Sequence, residues 1–214
     1  MDITMLGTGS ALVTECYNTC FVMSDGDEHF LVDGGGGNGI LSQLKKAGFN
    51  WQDMRTIFVT HKHVDHILGL HLVEVNDGDT KEIMDRKVTF FDTGSTKTKQ
   101  FGFCMDMGDG AKITCCGDEP YNDCEEKYAR GSKWLLHEAF CLYSETDIFD
   151  PYEKHHSTVK DACELAEKLE VQNLLLYHTE DKNITHRKEL YVAEGKRYYS
   201  GNLHVPDDLE KIRL

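Results

Sequence analysis

Four side chains in one short stretch of the chain can bind metal ions. Residues 56–71 read TIFVTHKHVDHILGLH, in which an apolar run leads into His61, His63, Asp65 and His66. His61 and His63 are two positions apart, so in an extended segment they project to the same side and suit one cation. Asp65 and His66 are adjacent and must diverge, but they can reach a second cation nearby. Neutral imidazole and carboxylate together suit zinc, with iron or manganese as competitors.

Two further candidate ligands also follow apolar runs. KITCCG leads into Asp118 and NLLLY leads into His178, just as TIFVT leads into His61. Buried strands bring their C-terminal ends to the edge of a sheet, where polar groups from several strands can converge on a ligand. We therefore expect His61, Asp118 and His178 to meet at one edge of a sheet. Asp118 could then bridge two metal ions.

The elements that must position these residues alternate between strands and helices. Apolar runs predict strands at 56–60, 87–94, 112–118 and 173–180. CFVM and FLVD, which flank an Asp-Gly turn, predict a β-hairpin. Helical spacing of apolar residues predicts helices over 40–48 and 157–170, the second with Ser157 or Thr158 as its N-cap. This order is typical of an α/β chain in which helices cover sheets.

Length and cysteine content indicate one cytoplasmic domain. A chain of 214 residues can bury roughly 70% of its unfolded surface, so we expect a single domain over residues 1–214. No apolar stretch approaches the roughly 18 residues needed to span a bilayer, and we see no signal peptide, so no membrane partner is expected. The 8 cysteines contain no C-x-x-C pair and indicate reduced cytosolic thiols.

The charge of the chain argues against nucleic acid as a general partner. The net charge is −14, from 23 basic and 37 acidic residues. Because binding to a phosphate backbone relies on Lys and Arg, we expect no DNA partner. RNA is not excluded, since a local basic patch can serve. The nearest approach to such a patch is Lys97 and Lys99, with Lys112 further away.

Taken together, these residues resemble a known family. H-x-H-x-D-H after a strand is the signature of the metallo-β-lactamase superfamily, and further segments are similar to its ribonuclease Z branch. These segments are MLGTGSA (5–11), LVDGGGG (31–37), QFGF (100–103), CGDEP (116–120), LLHEAF (135–140), HSTVKDA (156–162) and LLLYHTE (174–180). The resemblance runs in order from residue 5 to about residue 180. It implies a four-layer αββα sandwich with a dinuclear metal site at one edge, and it suggests a homodimer.

The resemblance also implies the metal ligands. They would be His61 and His63 on a first ion, Asp65, His66 and His178 on a second ion, and Asp118 as the bridge between them. The expected cofactors are two divalent ions, zinc before manganese or iron.

Catalytic roles follow from the same resemblance. His156 resembles the general acid that protonates the leaving oxygen, and Asp65 would orient or deprotonate the attacking hydroxide. Glu138 would hold His156 in place. His137 belongs to the same motif as Glu138 but resembles no ligand, so we take it as structural.

The first metal site departs from the family pattern. Thr96 stands where the branch normally has another histidine ligand, and no histidine lies between His71 and His137. Either the first site is weak, or an oxygen of Asp92, of Thr96 or of another residue completes it.

Two intervals in the chain are short for the ribonuclease Z branch. Only 34 residues lie between His66 and Phe101, which can reflect a lost segment. The interval from Phe103 to Asp118 leaves no room for the arm that grips tRNA in ribonuclease Z. The missing arm and the negative charge both argue against efficient tRNA processing.

The function expected from these residues is metal-dependent hydrolysis. We expect a ribonuclease Z-like phosphodiesterase that attacks an RNA end, or a small or cyclic phosphodiester, through a metal-bound hydroxide. One alternative is a hydrolase of another ester class, such as a lactone, thioester or β-lactam, whose activity would not depend on His156. Another is a degenerate member that binds one metal ion or none and turns nothing over, as the residue at Thr96 suggests.

Overall fold

The computed structural model describes residues 1–37, 39–61, 66 and 75–214. Its strands are β1 (Asp2–Gly7), β2 (Cys20–Asp25), β3 (Glu28–Val32), β4 (Thr56–Phe58), β5 (Thr80–Ile83), β6 (Arg86–Asp92), β7 (Phe101–Gly108), β8 (Ala111–Cys115), β9 (Trp134–Glu138), β10 (Asn173–Tyr177), β11 (Asn202–His204) and β12 (Lys211–Arg213). Its α-helices are α1 (Gly39–Lys46), α2 (Glu126–Ala129), α3 (Thr146–Phe149), α4 (Val159–Lys168) and α5 (Arg187–Gly195).

The strands of the described residues form two mixed sheets. The first has the order β12-β1-β2-β3-β4, and the second has the order β11-β10-β9-β8-β7-β6-β5. In the first sheet only β3 and β4 pair in parallel. In the second, β8, β9, β10 and β11 run parallel, so their C-terminal ends lie at one edge.

Side chains alternate between the two faces of each sheet, as expected for strands. On β3, Phe30 and Val32 face the other sheet, whereas Leu31 packs against α1. On β10, Leu175 faces the first sheet, while Leu174 packs beneath α4 and α5. The chain is therefore a four-layer αββα sandwich, with one core between the sheets and one beneath each helical layer.

Most of the predicted elements are confirmed, with small shifts at their ends. The hairpin forms from β2 and β3 around Gly26. The predicted helix over 157–170 is α4, and Thr158 caps it through a reciprocal pair of bonds with Asp161. The expectation of a single sheet edge is wrong, since β4 lies in the first sheet while β8 and β10 lie in the second.

The structure also bears on the cysteines and on membrane spans. All 8 cysteines, each within the described residues, are free of disulfides. Among the described residues, no helix has the length and apolar character that a bilayer span requires. The single domain over residues 1–214 stays a prediction.

Candidate metal centre

The ends of three strands bring candidate ligands together where the two sheets meet. His61 follows β4, Asp118 follows β8 and His178 follows β10. Asp118 Oδ2 lies 3.6 Å from Nε2 of His61, 3.8 Å from Nε2 of His66 and 3.8 Å from Nε2 of His178. Ligand atoms of His61, His66 and Asp118 all lie within 4.8 Å of one another. Three imidazoles, two from the stretch 56–71 and one from the end of β10, thus lie close to one carboxylate oxygen.

The burial of this cluster fits a metal-binding role. His66 is 2% exposed and Asp118 is 9% exposed, and His61 and His178 are buried as well. Burying several polar and charged groups is costly unless they are paired or bind a metal ion. Imidazole nitrogens around a shared carboxylate are a donor set that suits zinc and similar divalent ions. The described residues therefore fit the implied cofactor.

Electrostatics keep Asp118 in the form that binds a cation. Burial by itself raises the pKa of Asp118, but His178 and His61 outweigh burial and hold the pKa below its ordinary value. The carboxylate is therefore ionised at neutral pH, as a bridging ligand must be.

The backbone at or beside two of these candidate ligands is held in uncommon conformations. His178 has φ of +58°, a left-handed value that is unusual for a residue with a side chain. Such conformations cost about 1–3 kcal/mol and cluster at functional sites. Gly117 has φ of +80° directly before Asp118, where glycine avoids that strain.

One residue of the centre, Asp33, has no part in the ligand set that the sequence suggests. Asp33 follows β3 and is 3% exposed. Its Oδ2 lies 2.9 Å from Nδ1 of His66, and its Oδ1 accepts a hydrogen bond of 2.8 Å from the Thr60 backbone N–H. The Thr60 hydroxyl donates to Oδ2 of the same carboxylate at 2.9 Å. Asp33 thus joins His66 to the segment that carries His61. The signal was present in LVDGGGG, where an acidic residue ends a buried strand.

The candidate acid His156 lies beside this cluster. Its ring centroid is 5.0 Å from that of His178, and it stacks on Phe140 at the same distance. Its Nδ1 lies 3.4 Å from Oε2 of the fully buried Glu138. The other oxygen of Glu138 accepts a hydrogen bond from the Ser157 backbone N–H. Glu138 therefore anchors the loop of His156 and faces its ring.

The outcome differs among the remaining predicted residues. His63 and Asp65 lie outside the described residues. Thr96 is exposed, and Asp92 accepts a hydrogen bond from the Gly94 N–H. Gln100 is 2% exposed, and its Oε1 has no hydrogen-bond partner among the described residues.

Solved structures share this architecture. The metallo-β-lactamase fold protein YhfI from Bacillus subtilis superposes with a TM-score of 0.79 at 16% identity, covering 99% of this chain and 98% of that chain. This chain has the metallo-β-lactamase fold. Human tRNase Z, short form, has the same fold, with a TM-score of 0.77 at 20% identity over 100% of this chain and 99% of that chain.

Sequence comparisons give relatives for parts of this metallo-β-lactamase-fold chain. Ribonuclease Z of Thermococcus sibiricus is 30% identical over 105 residues, which is 49% of this chain and 32% of that protein. Ribonuclease Z of Pseudomonas putida strain W619 is 37% identical over 73 residues, 33% of this chain and 22% of that protein. The matches thus span a third or less of these relatives. Residues 1–78 also match the family model of the anti-Pycsar protein Apyc1. The resemblance to ribonuclease Z-like proteins is confirmed.

Proposed function

We propose that this chain is a metal-dependent phosphodiesterase that acts on small or cyclic phosphodiesters in preference to tRNA. The observation that carries the proposal is the position of His156 beside His178. An alkoxide leaving group needs a proton, and an imidazole at the edge of a metal cluster can supply it. Hydrolysis of an activated ester, whose leaving group is stable as an anion, has less need of such an acid.

The ligands proposed for the metal ions are those the sequence suggests. They are His61, His63, Asp65, His66, Asp118 and His178. Two divalent ions, when bound, would polarise the phosphoryl group and lower the pKa of a bound water. Asp33 holds His66 with a carboxylate at Nδ1, a contact that leaves Nε2 as the metal-binding nitrogen.

We propose Gln100 as the residue that completes the first metal site in place of the family's histidine. A Cβ added at Gly117 would lie 3.3 Å from Gln100 Oε1, so this buried oxygen lies against the residue before Asp118. The backbone N–H of Phe101 donates to the Thr60 carbonyl at 3.2 Å, which brings Gln100 alongside His61. A buried carbonyl oxygen without a partner is costly, and a cation would satisfy it.

His156 would hold the proton for the leaving oxygen, and Glu138 would fix its ring. The carboxylate of Glu138 faces Nδ1 at 3.4 Å, which favours the proton on that nitrogen and directs Nε2 away from Glu138. Protonated at both nitrogens, His156 can donate from Nε2 to the leaving group. Asp65 would orient the nucleophile.

A small substrate fits the charge of this chain. Its net charge of −14 disfavours a long polyanion. Two lysines near His156 are a local exception to this negative charge, and they support binding of a single phosphodiester. Lys97 Nζ donates a hydrogen bond to the carbonyl oxygen of Lys154, which lies two residues before His156. Lys154 Nζ also lies 5.4 Å from the centre of the Phe140 ring.

The test is hydrolysis of two phosphodiesters by the metal-loaded protein. Bis(4-nitrophenyl) phosphate has a good leaving group, while a cyclic nucleotide has a poor one. Replacing His156 by Ala should lower kcat for the cyclic nucleotide about 10²–10⁴-fold and should affect the activated ester far less. A matched control is His155→Ala, since His155 is the exposed neighbour.

Other outcomes would favour the alternatives. Turnover of a lactone, thioester or β-lactam that does not depend on His156 would favour a hydrolase of another ester class. A metal-loaded protein that turns over none of these substrates would favour a degenerate metal-binding protein without turnover.

The free cysteines suit a reducing compartment such as the cytoplasm. The homodimer stays a prediction.

A further inference from the structure

Helix α5 carries two buried polar side chains one turn apart, Arg187 and Tyr191. Arg187 is 1% exposed, and Tyr191 is fully buried in the cluster that includes Leu174 and Leu176 of β10. Residues four positions apart lie on the same face of a helix, so both side chains lie on the face that packs on the second sheet. Arginine is almost never fully buried unless its charge is paired, so the groups that it contacts indicate its role.

Both side chains reach the two residues that directly follow His178. Arg187 Nη1 donates a hydrogen bond of 2.8 Å to the Thr179 hydroxyl oxygen. The Tyr191 hydroxyl lies 3.4 Å from Glu180 Oε1, an acceptor for its proton. Thr179 is 1% exposed and Glu180 is 4% exposed, so bulk water hardly competes for these contacts. We call Arg187 and Tyr191 the α5 clamp.

Arg187 also connects this segment to a third part of the chain. Its Nη2 donates to the Pro206 carbonyl oxygen at 2.9 Å and lies 3.4 Å from Asp207 Oδ1. The Asp207 side chain is 58% exposed, so this ion pair is partly in water and contributes little to stability. The planar guanidinium presents several donors in a fixed geometry, which lets one side chain bind both Thr179 and Pro206.

The backbone of the two residues after His178 is fixed as well. The Thr179 N–H donates to the Thr8 carbonyl oxygen at 3.0 Å, and the Thr179 carbonyl oxygen accepts from the Ser10 N–H at 3.0 Å. The Glu180 N–H donates to the Phe140 carbonyl oxygen at 2.8 Å. The clamp tyrosine hydroxyl lies 3.3 Å from the same carbonyl oxygen. Backbone and side-chain contacts therefore hold this segment together.

The strand β10 holds the chain on the other side of His178. Tyr177 pairs with Glu138 of β9, and its carbonyl oxygen accepts from the Ala139 N–H at 2.9 Å. Between these two fixed sides, His178 has the left-handed φ of +58°. A residue with a side chain keeps such a conformation only where its surroundings enforce it. In this conformation Nε2 of His178 lies 3.8 Å from Asp118 Oδ2.

We propose that the two residues of the α5 clamp are positioning residues for His178 as a metal ligand. The inference rests on the proposed function in one respect, namely that His178 binds a metal ion. By fixing Thr179 and Glu180, the clamp limits the directions in which the His178 imidazole can point. The entropy cost of ordering this ligand is then met when the chain folds rather than when the metal ion binds. Loss of a clamp contact should therefore weaken metal binding although every donor atom remains.

The test measures zinc affinity by competition against a chelator of known affinity. Thr179→Val removes the acceptor for Arg187 and keeps the shape of the side chain, whereas Tyr191→Phe removes only a hydroxyl. Each variant should weaken the binding of one metal equivalent about three- to tenfold, the effect of one lost hydrogen bond. The other equivalent should bind as in wild type.

Two matched controls separate positioning from stability. Thr179→Ser keeps a hydroxyl for Arg187 and should keep the wild-type affinities. Tyr199→Phe removes the hydroxyl of another buried tyrosine in the same cluster, one that donates to the Val171 carbonyl oxygen at 2.9 Å. This control should lower Tm about as much as Tyr191→Phe and leave both metal affinities unchanged. If Thr179→Val does not fold, Tyr191→Phe decides, since its ring keeps its packing.

The readout needs no turnover, so it separates this inference from the proposed function. Wild-type metal affinities in Thr179→Val and Tyr191→Phe would overturn the clamp, even in a protein that cleaves phosphodiesters. An equal loss of affinity in Tyr199→Phe would overturn it too, because the effect would then follow stability alone. The expected loss in a protein that cleaves no phosphodiester would support the clamp and contradict the proposed function.

Discussion

The Asp33 carboxylate lies 2.9 Å from Nδ1 of His66 and 2.8 Å from the Thr60 backbone nitrogen. One buried side chain thus aligns a candidate metal ligand and fixes the segment that leads into His61. A carboxylate on the far nitrogen of a metal-binding histidine sets its tautomer and raises its basicity. Asp33 therefore supports His66 in the candidate metal centre without being one of its predicted ligands.

Replacing Asp33 by Asn should weaken metal binding about 10–100-fold. The amide keeps the size of the side chain but removes the charge that faces His66. The measurement is competition for zinc against a chelator of known affinity, with circular dichroism to verify the fold. Asp53→Asn is a matched control, because Asp53 is exposed. Unchanged zinc affinity in Asp33→Asn would show that the contact with His66 does not support the site.

Replacing Glu138 by Gln should lower kcat for a substrate with a poor leaving group about tenfold or more while KM stays close to wild type. The physical reason is the loss of the carboxylate 3.4 Å from His156 Nδ1, which holds the ring and its proton. Adding Glu138→Gln to His156→Ala should cause little further loss, because groups that act together are not additive. Fully additive losses would mean that Glu138 acts independently of His156.

Gln100 gives a prediction about the first metal ion. Because its Oε1 is buried and unpartnered in the described part of the chain, Gln100→Leu should weaken binding of one metal equivalent and leave the other unchanged. Gln100→His should tighten the same equivalent, since imidazole is a better zinc ligand than an amide oxygen. Chelator titration followed by elemental analysis measures both of these changes in metal affinity. Identical titrations for wild type and both variants would exclude Gln100 as a ligand.

Much of the fold follows from sequence pattern, because buried strands and amphipathic helices carry their own periodicity. The stripe of Val159, Ala162 and Cys163 identified α4, and all three are buried. The strand β5 gave no such signal, since three of the four residues in TKEI are exposed at the edge of a sheet.

The site was harder to predict because it depends on how two sheets pack. Chain order placed His61, Asp118 and His178 after strands, and the structure brings these residues together. No local pattern indicates that β4 lies in a different sheet from β8 and β10. The role of Asp33 likewise depends on its distance from His66, which is a tertiary property. His63 and Asp65 stay predictions.

Glu125 gives a prediction about the dependence of stability on pH. Burial raises the pKa of Glu125 to about 8 from an ordinary value of 4.5, although one oxygen accepts a bond from the Asn122 N–H. Because the folded-state pKa is the higher one, the proton on Glu125 stabilises the fold fully below about pH 4.5, and this contribution is lost as the pH rises through about 8.

Replacing Glu125 by Gln should therefore leave Tm near wild type at pH 5 and raise it by several degrees at pH 9. The amide can still accept from Asn122 and has no proton to lose. Glu126→Gln is the matched control, since the neighbouring Glu126 is half-exposed. A Tm difference between wild type and Glu125→Gln that stays constant from pH 5 to pH 9 would contradict this account.

Metal stoichiometry per chain, by elemental analysis of protein purified without chelator, tests the central claim most directly. We predict two equivalents of a divalent ion per chain, zinc first, and a loss of both in Asp118→Ala, because that carboxylate is the proposed bridge. A well-folded wild-type protein that holds one equivalent, or none, would contradict the dinuclear phosphodiesterase and favour a degenerate metal-binding protein.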